Sequence, residues 1–167
     1  PAFSSDQGIA LASYSLDGSQ LWQRRIGDIG AGQQTIADLA VAPDGTVLVL
    51  GTTSSSDGNG LYGQSPKGTG QDLDAFITAY STAGERLWTH QFGSANNDLA
   101  QAMAFMPVAD GDEQRNTLVV VGQQQPIGGE PQAWVELLEI PDLDDVAATA
   151  LPPAALNLDW SVAGTDG

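Results

Sequence analysis

Cysteine is absent from this chain and histidine occurs once. Zinc ribbons, disulfide frameworks and c-type haem sites all need thiols, so the sequence excludes them. Cations are nearly as scarce: 5 Lys and Arg stand against 21 Asp and Glu, a formal charge of −16. Affinity for nucleic acid comes from cations that neutralise phosphates, and so few leave no basis for binding DNA or RNA. There is no apolar run of about 18 residues, so no membrane span is expected. The opening residues Pro1-Ala2-Phe3-Ser4-Ser5 have neither a basic start nor an apolar stretch and do not read as a signal peptide.

The remaining composition is that of a folded domain. With 41% apolar and 16% charged residues, the chain is too hydrophobic for disorder despite its net charge. The charge therefore sits on a folded surface, where it repels acidic partners and attracts divalent cations. The length of 167 residues suits one domain.

That domain is repetitive. Residues 12–22, ASYSLDGSQLW, match residues 78–88, TAYSTAGERLW, with Trp88 lying 66 positions after Trp22 and Gly93 lying 66 after Gly27. Leu39-Ala40-Val41-Ala42-Pro43 matches Met103-Ala104-Phe105-Met106-Pro107 at an offset of 64, and Thr46–Gly51 matches Thr117–Gly122 at 71. The offset changes only within polar stretches, 28–35 and 108–116, where loops accept insertions that packed strands do not. A third copy starts at Ala133-Trp134-Val135-Glu136-Leu137-Leu138, which answers Ala75–Tyr80. Beyond an inserted loop over 142–155, Asp159-Trp160-Ser161-Val162-Ala163-Gly164 is expected to close it.

Each unit reads as β-structure. The apolar runs are short, rich in Val, Ile, Leu, Tyr and Trp, and separated by Asp17-Gly18, Asp44-Gly45 and Asp110-Gly111. Asp-Gly pairs suit the left-handed backbone angles of tight hairpin turns. The best helical stretch, 144–150, is cut short by Pro152-Pro153. The Gly- and Ser-rich segment 53–71 is expected to be a long loop between strands of one unit.

Short strands repeating about every 60 residues, with a Trp at a fixed place, suggest propeller blades. The run Asp74-Ala75-Phe76-Ile77-Thr78-Ala79-Tyr80, followed by Gly84, Leu87-Trp88 and Phe92-Gly93, resembles the bacterial β-propeller repeat called the SBBP repeat. Val49-Leu50-Gly51-Thr52-Thr53-Ser54 fits the last element of that repeat, and the resemblance covers residues 8–140. The chain is similar also to quinoprotein-type propeller repeats, which are shorter. It departs from the family pattern near Gln101, where the Asp found around Asp38 is replaced, and in the expansion after Pro107.

The resemblance implies an all-β partial β-propeller, one segment over 1–167 with about two and a half four-stranded antiparallel blades. Residues 9–26 form the half blade, 36–92 one blade and 99–163 another. Propellers typically close with four or more blades, so this segment does not close. Residues 9–26 are expected to pair with strands supplied from elsewhere, because open edges invite pairing. The partner is then a protein or the remainder of a longer chain. The implied setting is extracellular, cell-surface or periplasmic, in bacteria.

No catalytic constellation emerges. His90 occupies the repeat position of Arg24 in mid-strand, and no Gly-x-Ser-x-Gly elbow accompanies it. Trp22, Trp88 and Trp160 read as inter-blade packing, with sugar stacking as the alternative. The segment 27–32, GDIGAG, lacks the lysine and following helix of a phosphate loop. No organic cofactor is expected. Calcium is possible at Asp57, Asn59, Asp110 and Asp112, whose alternating oxygens sit in Gly-bearing loops without EF-hand spacing. The expected function is a non-catalytic scaffold or protein-binding module. The alternatives are an auxiliary subunit of a larger complex and a carbohydrate-binding propeller.

Overall fold

The computed structural model describes residues 9–27, 32–54, 61–65, 67, 72–110, 113–126, 128–140 and 154–156. The strands are β1 (Ile9–Tyr14), β2 (Gln20–Ile26), β3 (Gln34–Val41), β4 (Val47–Ser54), β5 (Leu73–Tyr80), β6 (Arg86–Phe92), β7 (Asn97–Asp110), β8 (Glu113–Gln125), β9 (Gln132–Glu139) and β10 (Ala154–Leu156). They form three antiparallel sheets with neighbours in chain order: β1–β2, β3–β4–β5–β6 and β7–β8–β9–β10. The fold is all-β, and no sheet closes on itself among the described residues.

The sequence repeat is also a repeat of backbone register. Ser13 faces Trp22 before a shift puts Tyr14 opposite Gln20; Ala79 faces Trp88 before the same shift puts Tyr80 opposite Arg86. A second irregularity separates Ile36 from Asp38 in β3 and Ala100 from Ala102 in β7. Such bulges change strand twist locally and are placed features of a sheet. Aromatic seating repeats as well. Gly51 lies opposite Phe76 and Gly122 opposite Trp134. A Cβ on either glycine would come within 2.7 Å and 2.1 Å of those rings, so only glycine lets the aromatic lie flat across the neighbouring strand. Thus β1–β2 correspond to β5–β6, and β3–β4 to β7–β8.

The central strands β4 and β5 of the second sheet are covered on both faces, which explains why they are almost continuously buried and carry the apolar runs Val47–Leu50 and Ala75–Ile77 instead of alternating. On one face Leu48, Leu50, Ala75, Ile77 and Trp88 pack against Met103, Leu118, Val120 and Leu138 of the third sheet. On the other, Val49, Phe76 and Tyr80 meet Leu11, Ile26 and Trp22 of the first. Two side chains of β2 grip the β5–β6 turn: Trp22 Nε1 donates to Thr82 O at 2.8 Å and Arg24 Nε to Gly84 O at 2.5 Å.

Three expected loops differ in the structure. Residues 108–110 and 113–116 extend the β7–β8 ladder, with Val108 opposite Arg115, because added residues that keep the two-strand register lengthen a ladder. The segment 53–71 returns to the core: a short 3-10 turn at Leu61–Gly63 buries Leu61. Its Leu61 N–H donates to Gln91 Oε1 at 2.9 Å, and Tyr62 Oη lies 3.2 Å from Tyr80 Oη. The loop expected over 142–155 ends before Ala154, which already pairs with Glu139. That register puts Leu156 opposite Leu137, the place Trp88 takes opposite Ala79. Pairing therefore assigns the repeat position to Leu156, although the letters matched Trp160. Trp160 and the helical stretch 144–150 lie outside the described residues.

Candidate functional site

Of the calcium candidates, Asp57, Asn59 and Asp112 lie outside the described residues. The backbone of Asp110 ends β7 opposite Glu113. Among the described residues no group of three or more His, Asp or Glu gathers as a metal would require. His90 is half-buried in β6, stacked on Phe92 at 5.4 Å, and Phe92 meets Trp134 edge-on at 5.8 Å. Burial, and then the charge of Lys67, hold His90 below its ordinary value of 6.5, so the ring is neutral at pH 7. Trp88 is buried in the core between the second and third sheets, and Trp22 is held against the β5–β6 turn.

A pair of buried carboxylates, not singled out as a site by sequence reasoning, lies where the chain crosses from β6 to β7. Asp74 Oδ2 accepts from Gln91 Nε2 at 2.6 Å and from Lys67 N at 3.0 Å. Asp98 Oδ2 accepts from Ser94 N at 2.6 Å and Ser94 Oγ at 2.8 Å. Asp74 Oδ1 has no hydrogen-bond partner among the described residues. It and Asp98 Oδ2 lie 3.1 and 2.9 Å from the point that a Cβ on Gly93 would take. At the corresponding Gly27 that neighbour is the neutral Gln34, so the acidic pairing is particular to this copy. The signal for it in the sequence is this exchange of Gln34 for Asp98 at the 64-residue offset.

Burial raises Asp74 above its ordinary 3.8, opposed by its hydrogen bonds from Lys67 and Gln91 and reinforced by the charges of Asp72 and Asp98. A carboxyl whose proton is held more tightly in the folded chain contributes stability that is full below pH 3.8 and is lost as pH rises through the folded value. Glu136 behaves alike, raised by burial and then by Asp98. His90 acts oppositely, its contribution being full above pH 6.5 and lost as pH falls through its lowered value. Asp74→Asn keeps an acceptor for Gln91 and Lys67 and removes a buried charge that Asp72 and Asp98 disfavour. Its melting temperature is expected to exceed that of the native chain at pH 7 and to match it below pH 3.8. Thermal melts across that range check this; a lower melting temperature for the variant at pH 7 would contradict it.

The second feature is a surface that the fold leaves unfinished. In the third sheet, β7 lies across β3, β4 and β5 of the second. The corresponding strand β3 meets β1, because the first sheet has no counterparts of β3 and β4 among the described residues. Exposure records the consequence. Ala100 and Met103 on β7 are each 9% exposed, whereas their counterparts Ile36 and Leu39 are 38% and 48% exposed, with Val41 at 57%. Beside this bare strip, the edge of β1 that faces away from β2 has no strand partner among the described residues. The far face of the third sheet is a further apolar surface: Val119, Val121 and Val135 hold the register positions of Leu48, Leu50 and Ile77.

No protein-family model matches this chain, and no curated protein does. Within the described residues no helix is long and apolar enough to cross a membrane.

Proposed function

We propose that this chain is a non-catalytic β-propeller segment, built of SBBP-type repeats, that serves as a scaffold or protein-binding module. The observation that carries the reading is the bare strip on β3 beside the edge of β1 that has no strand partner among the described residues, whereas the equivalent positions Ala100 and Met103 are buried. An edge strand with unpaired N–H and C=O groups, next to exposed apolar side chains, is suited to receive another polypeptide. The same surface serves an auxiliary subunit of a larger complex. Trp22 and Trp88 are engaged in packing between sheets, which favours the scaffold over a carbohydrate-binding propeller. A surface, secreted or periplasmic bacterial setting is part of the proposal, supported by the repeat resemblance and the acidic, lysine-poor composition. Weak calcium binding at Asp57, Asn59, Asp110 and Asp112 belongs to it also, resting on their alternating oxygen ligands.

Light scattering on the purified chain tests the reading. A monomer of 17.3 kDa is expected, because the unfinished sheet awaits a different polypeptide. A defined closed multimer would show instead that copies complete one another, and would favour the carbohydrate-binding propeller over the scaffold.

A further inference from the structure

We infer that the unfinished half of the first sheet is the docking site of a two-stranded β-hairpin of the β3–β4 kind. The hairpin adds to the edge of β1 that has no strand partner among the described residues and lays one apolar face on Ile36, Leu39 and Val41. This rests on the repeat-scaffold reading and specifies the partner it takes.

The complete pair of sheets shows what the hairpin supplies. Over the second sheet, β7 rests on β3 and β4 as well as β5, and Ala100 and Met103 are covered. Two side chains of that underlying hairpin also bond to the strand above. Thr52 Oγ1 accepts from Ala100 N at 3.1 Å, and Asp38 Oδ2 from Met103 N at 2.9 Å. Because β1–β2 share the register and bulge of β5–β6, a hairpin added to β1 in the register of β4 on β5 brings equivalents of Leu48 and Leu50 onto the bare strip. It also brings acceptors equivalent to Thr52 and Asp38 beside Ile36 and Leu39, the latter's N–H being held meanwhile by Asp38 Oδ1 at 2.8 Å. Strand addition of this type draws affinity from main-chain hydrogen bonds and specificity from alternate side chains.

A second copy of the chain pairing β1 to β1 does not fit. The two-fold operation keeps the packed faces of both β1–β2 units on one side of the joined sheet. The second copy's β3–β4 would then enter the space that this copy's β3–β4 already holds. The occupant is therefore a hairpin whose apolar face is free until it docks.

The probe is a synthetic peptide of residues 34–54, which carries the β3–β4 sequence, added to the whole chain. Binding is followed by calorimetry and by amide exchange in β1. The expected result is saturable binding with new protection of alternate amides in Ala10–Tyr14. Binding is expected to weaken at least about tenfold for Leu39→Glu, whose buried acid would lose roughly 1.4 kcal/mol or more. A control peptide with Leu48 and Leu50 replaced by Lys is expected not to bind. A contact in NMR spectra between the Trp22 indole and Gly84 reports separately whether the first sheet is seated on the second. If that contact is present and the peptide leaves β1 unprotected, the docking inference is overturned while the stacked repeats stand. Should the contact itself be missing, the scaffold reading fails and the inference falls with it.

Discussion

Trp88→Ala is expected to destabilise the chain by about 3–5 kcal/mol, the range for removing a large aromatic from a packed core. Trp88 is 4% exposed and belongs to the cluster joining the second and third sheets. Its ring is therefore shared between two layers, and its loss leaves a cavity that neither sheet closes alone. Folded domains are stable by only about 5–15 kcal/mol, so melting should fall by roughly 10 °C for a chain of this size. Trp22 holds the same repeat position in the first sheet, which has no counterparts of β3 and β4 among the described residues. Trp22→Ala should therefore cost less, about 1–2 kcal/mol, mostly the hydrogen bond to Thr82 O and contact with the turn. Chemical denaturation of both variants measures the difference. Equal losses would mean that the two positions have equivalent surroundings and that the first sheet is not half-finished.

The sequence made the sheets legible because its strongest signals are registers. Tyr14 and Tyr80, and Trp22 and Trp88, fall on one offset, and the same offset reproduces the pairing of β1 with β2 and of β5 with β6 down to the bulge. Turn chemistry was equally plain: Gly18 and Gly84 take φ of 85° and 76° in identical hydrogen-bonded turns. Letter matching failed where pairing has no side-chain signature. Ala154–Leu156 contains nothing that distinguishes a strand from a loop, and it is placed only by the free edge of β9. Leu61 was similarly hidden, since a single apolar residue inside a Gly- and Ser-rich segment gives no period to read. Asp74 was visible as a motif letter, while its pairing with Asp98 depends on the crossing from β6 to β7 and on Gly93, where no Cβ intervenes. The repeat arithmetic leads to the expectation of an incomplete unit at 9–26, but not to the residues it leaves bare. Ile36 shares a face with Leu39 and Val41 only through the bulge between Ile36 and Asp38, and all three are exposed where the first sheet has no counterparts of β3 and β4 among the described residues.

The most direct measurement is amide hydrogen exchange along β1 and β5 in the purified chain, because these strands are the same element of the repeat in two surroundings. β5 is flanked by β4 and β6, so all its backbone groups are paired and lie between two packed faces. β1 is paired with β2 alone among the described residues. Exchange follows local opening, and an amide on an open edge needs no opening to exchange. The expected result is that alternate amides of Ala10–Tyr14 exchange without protection, while those of Phe76–Tyr80 stay protected until the second sheet unfolds. Equal protection of the two strands would contradict the unfinished sheet, and with it the surface on which the proposed function rests.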